Sequence, residues 1–332
     1  MNETGILTGL PPLDGAIQPD GSLADFIWFR TGGAAEWLVR PSDIEDLSQF
    51  MSQLDPAMPV MPIGVGSNLI VRDGGVRGVV VRLPKTFAAI RIEAGNRVRA
   101  GAAAMGITVA SRARDAGIVV IGVNVDDLEG AAGNARQAFV GQGFLAAGYS
   151  LGQAQSANFP AEGPIKVLVG ISAPGQNWSE QRGQGVINFL EEYKVTSGRD
   201  ITWEKIDSGT DLAITSDRVG AFLAANTDTT AYFDTGFWHA GVARVLADRG
   251  EAPGKVLLGG FDLVPEAVEQ MKAGYIQVQV DQQPYMQGFM PVMMVYLNKT
   301  VGLAPSDLDT GQGIVTPADA DAIMELSAQG LR

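Results

Sequence analysis

The sequence predicts an α/β protein in two parts, an α+β segment over residues 1–118 and a parallel α/β sheet domain over residues 119–332. Three observations point there. After Ile118, apolar runs of strand length alternate with amphipathic segments of helical length, the rhythm of a parallel sheet covered on both faces. Before it, short strands separated by turns accompany only two helices, which suits an α+β arrangement. Charge switches at the same place: residues 1–118 hold 11 Lys+Arg against 12 Asp+Glu, a net of -1, and residues 119–332 hold 13 against 25, a net of -12. The first part has ten Arg and one Lys, the second seven Arg and six Lys, and all six Tyr lie in the second. Asymmetries that coincide mark a composite chain.

Met1 to Asp25 is rich in Gly and Pro and lacks a period, so a loosely held arm is expected. Phe26 to Val39 reads as strand interrupted at Thr31-Gly32-Gly33. Ser42 with Glu45 three residues on forms a capping box that opens a helix to Leu54. Short strands follow at Val60–Ile63, Leu69–Arg72, Gly78–Leu83, Ala88–Ile92 and Val98–Ala102, then a helix from Gly106 closing on Gly117. In the second part, strands are expected at Val119–Val125, Lys166–Ile171, Ile201–Ile206, Thr230–Phe233, Lys255–Gly260 and Ile276–Val280. Helices fall near Gly141–Gln153, Ser179–Tyr193, Leu212–Ala225, Phe237–Arg249, Pro265–Lys272 and Pro284–Thr300. On such a sheet, ligands bind at the carboxyl ends of the strands.

Composition removes several function classes. A chain of 332 residues that is 46% hydrophobic can bury real cores. No apolar run approaches the ~18 residues that cross a bilayer, so no membrane insertion is expected. Met1 to Pro19 has neither Lys nor Arg and no continuous apolar stretch, so a secretory leader is not expected and a cytoplasmic location is. The absence of Cys excludes disulfides, thiolate metal sites and cysteine nucleophiles. His239 is the sole histidine, which excludes multi-His metal sites; it receives no role. A net charge of -13 repels a phosphate backbone, so nucleic acid is not an expected partner.

The segment Pro62-Ile63-Gly64-Val65-Gly66-Ser67-Asn68 is the first candidate site. Its glycines allow a tight turn in which successive N–H groups point at one anion, and Ser67 and Asn68 add side-chain donors, a set suited to a pyrophosphate. A Gly-rich connection is also an ordinary turn between strands, and a strand follows here where a dinucleotide fingerprint needs a helix. The neighbours are more specific. Trp28-Phe29-Arg30-Thr31-Gly32-Gly33-Ala34-Ala35-Glu36, then Pro41, then Ile63 through Asn68 to Leu69-Ile70-Val71-Arg72-Asp73-Gly74-Gly75, closely resemble the UDP-N-acetylenolpyruvoylglucosamine reductases, flavoproteins that make UDP-N-acetylmuramate with NADPH. The resemblance continues through Val98-Arg99-Ala100-Gly101-Ala102 and Ala113 to Ile118. It implies that Gly64, Val65, Gly66, Ser67 and Asn68 contact an FAD pyrophosphate. The family's later flavin motifs, its proton-donating serine and its C-terminal glutamate find no match here. FAD is therefore expected to bind weakly or not at all, and no catalytic residue is assigned.

In the second part three polar residues fall at strand ends. Arg182 lies near a helix start just beyond a strand, Asp262 follows the strand Leu257–Phe261, and Gln282 follows the strand ending at Val280. A guanidinium, a carboxylate and an amide converging there would serve a ligand with several hydroxyls. Trp178, Phe237 and Trp238 would offer flat apolar faces to a sugar's C–H surface. Each has a plainer reading: Arg182 as a solvated helix residue, Asp262 as a partner of helix-start amides, the aromatics as core. Order carries more. Val120 to Asn124, Val140-Gly141-Gln142 with Ala147-Gly148, Trp178 to Gly185, Thr235-Gly236, Gly260-Phe261-Asp262, Val280 to Pro284 with Gln287-Gly288, and Thr310 to Thr316 come in sequence. Residues 119–317 thereby resemble the type I periplasmic sugar-binding proteins of ABC transporters, relatives of ribose binders.

That resemblance implies that Arg182, Asp262 and Gln282 bind sugar hydroxyls, that Asn124 is a first-lobe contact, and that Phe237 and Trp238 lie in a ligand-contacting loop. An ABC permease is the implied partner. The first four strands of the first lobe are missing, with the reductase-like segment in their place. The helix Pro284–Thr300 is apolar nearly all round and loses part of its cover with them, so self-association is expected. Together these readings give a sugar-binding domain with a foreign N-terminal segment, weak or inactive as written. The alternative is an FAD-dependent reductase of cell-wall synthesis without its catalytic part.

Overall fold

The computed structural model describes residues 9–27, 30–66, 69–126, 135–329 and 331. It divides into two compact units, one running to Val120 and rejoined by Ala135 and Arg136, the other holding the remaining described chain from Ile121.

The first unit is built on a four-stranded sheet of β1 (Ala16–Ser22), β2 (Ala34–Arg40), β3 (Val60–Ile63) and β4 (Val76–Arg82), in the order β1-β2-β4-β3. β1 runs antiparallel to β2, and the other pairs are parallel. The valine run of β4 holds the centre because successive side chains point to opposite faces. Val79 and Val81 pack on Phe50 and Leu54 at the helix α1 (Ile44–Gln53), whereas Val80 packs on Leu23, Leu38 and Ile63 behind the sheet. A hairpin of β5 (Ile90–Glu93) and β6 (Arg97–Ala100) precedes helix α2 (Gly106–Asp115).

Three expectations for this unit are corrected. Residues 9–25 of the expected arm are not loose, since β1 pairs along β2 and Leu10 and Leu23 are buried, while residues 1–8 lie outside the described residues. One carboxylate staples it: Asp46 accepts the backbone N–H groups of Asp14 (2.8 Å), Gly15 (3.0 Å) and Ser42 (2.8 Å). The helix cap is Asp43, whose side chain accepts the N–H of Asp46, rather than Ser42 with Glu45. Leu69–Arg72 forms no strand; its carbonyl at Arg72 takes the N–H groups of Gly33 and Gly75 and so closes a turn instead of a ladder.

The second unit opens with β7 (Ile121–Asn124) and β8 (Ala138–Gly141), which pair with the later β14 into a small parallel sheet. Its elements continue as α3 (Phe144–Ser156), β9 (Ile165–Ile171), α4 (Asn177–Ser197), β10 (Ile201–Asp207), α5 (Leu212–Ala225), β11 (Ala231–Asp234) and α6 (His239–Asp248). Then come β12 (Leu257–Phe261), α7 (Pro265–Lys272), β13 (Ile276–Asp281), α8 (Pro284–Val301), β14 (Leu308–Asp309), β15 (Gly313–Val315) and α9 (Ala320–Ala328). The main sheet has six strands in the order β10-β9-β11-β12-β13-β15, parallel except for β15.

Strand alternation assigns the two cores. Val167, Val169 and Phe233 face α3 and α4, while Leu168 and Tyr232 face α5, α6 and α7. Gln277 is an extra residue at a bulge in β13; it turns Ile276 to the second face while Val278 and Val280 stay on the first. Helices α3 and α4 touch through glycines. A Cβ on Gly148 would stand 2.0 Å from the Arg182 carbonyl oxygen, and one on Gly185 2.1 Å from that of Leu145. Helix α8 packs on β7 and β8 but leaves Tyr285, Phe289, Val292 and Tyr296 exposed.

Candidate ligand-binding site

The carboxyl ends of the second unit's strands bring the predicted polar residues together. Arg182, one and a half turns into α4, is drawn inward by the glycine contact with α3 and is 4% exposed. Its Nε donates to Gln142 Oε1 (2.8 Å) and its Nη1 to the Thr235 carbonyl (2.9 Å). The guanidinium lies over the Phe261 ring at 4.1 Å and near Phe144 and Trp178 at 5.4 and 5.5 Å. Burial lowers its pKa to about 10, against the pull of Asp262 and Asp234. Arg182 is thus a buried cation, not the solvated helix residue of the plainer reading.

Asp262 follows β12 with φ 67, in the left-handed region that a β-carbon disfavours. Its Oδ1 accepts from Gln282 Nε2 at 2.5 Å. Desolvation raises its pKa above the ordinary value, opposed by Arg182 and by Gln282. Asn124 ends β7 with φ 72, and Gln283, next to Gln282, has φ 53. Among the described residues, three of the six non-glycine residues with positive φ therefore sit at the strand ends of this site, where strain tends to collect. The Asn124 amide donates to Gln287 Oε1 (3.0 Å), and Gln287 Nε2 donates to the Gln282 carbonyl and to Thr310 Oγ1 (both 2.9 Å). Phe237 stacks on Trp238 (4.7 Å), which lies 6.4 Å from Trp178. These rings are partly exposed and form one wall beside Arg182.

Beneath this wall Asp234 is buried, with Ser172 Oγ donating to one oxygen (2.6 Å) and the His239 N–H to the other (2.7 Å). The His239 ring is fully buried. No cluster of three or more His, Cys, Asp or Glu suited to a metal occurs among the described residues, nor is any helix there long and apolar enough to cross a membrane.

In the first unit, Gly64, Val65 and Gly66 line a 490 Å³ cleft with Met61 and Ile107; Ser67 and Asn68 lie outside the described residues. Gly66 (φ 69) passes so near the chain that a Cβ would stand 2.3 Å from the Phe26 carbonyl oxygen. Arg82 Nη1 donates to the Gly64 and Leu83 carbonyls, and its guanidinium lies 5.6 Å from the Phe26 ring. The cleft walls are largely aliphatic.

The family model for a periplasmic binding protein domain matches residues 98–300. The chain belongs to the periplasmic binding protein domain family. Among solved members of similar fold, a periplasmic ribose ABC transporter protein from Conexibacter woesei aligns with TM-score 0.56 and 22% identity, over 68% of this chain and 73% of that one. A carbohydrate transporter protein from Acidothermus cellulolyticus, solved with myo-inositol, aligns with TM-score 0.54 and 23% identity, over 68% and 75%. The N-terminal segment has a different likeness. UDP-N-acetylenolpyruvoylglucosamine reductase of Rhizorhabdus wittichii is 57% identical over 109 residues, 33% of this chain and 36% of the relative. The Cereibacter sphaeroides enzyme is 59% identical over 108 residues, 32% and 35%. The chain spans about a third of the length of these reductases. It is a composite, reductase-like first and periplasmic-binding-protein-like after.

Placed on the binding-protein frame, three residues matter that the sequence reading gave no role. Gln142 holds Arg182, Gln287 joins Asn124 to Gln282, and Phe261 carries the guanidinium. Each stands in a stretch that carried the resemblance, but its contacts are made across the fold.

Proposed function

We propose that the second unit binds a small neutral sugar at the strand ends around Arg182, Asp262 and Gln282. The observation that carries this reading is the unmatched pair of charges. Arg182 and Asp262 influence one another's protonation, yet no ion pair joins them among the described residues. Two charges that are not paired with one another in a desolvated place suit a ligand whose hydroxyls accept from one and donate to the other. Trp178, Phe237 and Trp238 supply the wall for its C–H face. With Asp234 and Asp281 nearby and buried, an anionic sugar would meet repulsion. Asn124 enters from β7 through Gln287, and delivery to an ABC permease is part of the same proposal.

Binding should be weaker than in two-lobed relatives, because a sugar held mainly from one side leaves hydroxyls in water. Titration calorimetry with D-ribose, D-arabinose, D-tagatose and myo-inositol tests the reading. Heat of binding that saturates with one of them, and that Asp262→Ala weakens ~10-fold or more, supports it. Saturable binding untouched by Asp262→Ala sinks the assigned site.

For the first unit we infer that FAD is not stably held. The glycine loop offers backbone amides, but Arg82 donates to the loop's own carbonyl and the adjoining walls are aliphatic. A cofactor of that size needs most of its surface covered.

A further inference from the structure

A buried cation is normally matched by a carboxylate. Arg182 instead has two neutral acceptors, Gln142 Oε1 and the Thr235 carbonyl. Gln142 is 2% exposed and sits just past β8. With its Oε1 on Arg182, its Nε2 is buried and has no partner. The amide cannot turn over, since its NH2 would then face the guanidinium. Its stem lies against Gly311, where an added Cβ would stand 2.4 Å from Gln142 Cγ.

For the fold alone, glutamate would be the better residue. It has the same shape, leaves no orphan donor and supplies the missing charge. Positions where a sequence works against its own fold are expected at functional sites. We propose that Gln142 is a positioning residue of the sugar site: its neutral carbonyl fixes the Arg182 guanidinium through Nε while leaving the positive charge unneutralised for ligand oxygens. The role rests on the sugar-site reading. Glutamate at this position would hold the arginine equally well, but in an internal ion pair with which the sugar must compete.

The test compares the parent chain with Gln142→Glu and Gln142→Met by thermal unfolding and by calorimetry with D-ribose, D-arabinose and myo-inositol. Gln142→Glu should unfold at or above the parent's temperature and yet bind the preferred sugar ~10-fold or more weakly, the scale of one charge-assisted hydrogen bond. Gln142→Met, which keeps the volume and loses the acceptor, should lose both stability and affinity. A residue that only packs would move stability and affinity together in both variants. Gln142→Glu that binds as tightly as the parent, or that loses stability along with affinity, overturns the role of Gln142 and leaves the site standing. A folded parent that takes up none of these sugars overturns the sugar site and this role with it.

Discussion

Each unit sets an arginine over a phenylalanine ring and against a backbone carbonyl, Arg82 with Phe26 and Gly64 in the first, Arg182 with Phe261 and Thr235 in the second. The surroundings separate them. Arg82 ties a loop to its own sheet, and both its acceptors lie in neighbouring connections. Arg182 is approached by β8, β11 and β12, with a carboxylate, an amide and an aromatic wall beyond. A motif can survive as a short stretch of chain. A site needs several elements to converge, and among the described residues the polar groups converge around Arg182.

The largest effect is expected where the contrast is sharpest. Arg182→Met should abolish sugar binding, a loss of ~100-fold or more, and cost about 2–4 kcal/mol in urea unfolding, because Gln142 Oε1 is left buried without a donor. Arg82→Met should leave sugar binding unchanged. If both arginines mattered equally for the sugar, the comparison would collapse.

Asp262→Ala should weaken binding by ~10–150-fold. Its pH behaviour sharpens the point. Folding raises this carboxyl's pKa above 3.8, so Asp262 favours the folded chain at low pH and that contribution is lost as pH rises through the folded value. Binding has the opposite sign. The sugar needs the ionised acceptor, so affinity should start to fall on acidification at a pH above that of an ordinary aspartate. Calorimetry across pH should show this decline in the parent, and Asp262→Asn should flatten it.

Asp46→Ala should cost the first unit about 1–3 kcal/mol, since the N–H groups of Asp14, Gly15 and Ser42 lose their common acceptor. Burial pushes this carboxyl up, but those N–H groups outweigh it and hold its pKa below 3.8, so its contribution is present above that value and is lost as pH falls through the folded one. Sugar affinity should not change in this variant. The smallest expected signal is from flavin: the parent mixed with FAD should emerge colourless from gel filtration, and stoichiometric yellow protein would show the first unit to be a site after all.

Much of the second unit was legible because its strands are buried on both faces and stand out as apolar runs. Helix α7 begins at Pro265 and ends at Lys272 as its own start signal predicts. β1 was missed because Ala16–Ser22 contains Pro19 and Gly21, and its place is fixed by pairing with β2 and by Asp46, about thirty residues along the chain. The cap at Asp43 lay one residue from the expected Ser42, a choice that only hydrogen-bond geometry makes. Arg182, Asp262 and Gln282 could be picked out because they follow strands. Gln142 and Gln287 could not, because their roles are set by partners 40 and 163 residues away.

The bare contact between α3 and α4 makes an unusual mutational target. Alanine at Gly148 or Gly185 adds one methyl group, carries no charge and touches no ligand. It would nevertheless lodge against a carbonyl oxygen of the opposite helix, at 2.0 or 2.1 Å, and the two helices would have to part. Arg182 rides on the helix that moves. Recognition at this site can thus be extinguished by a change whose own position would never be suspected of recognising anything.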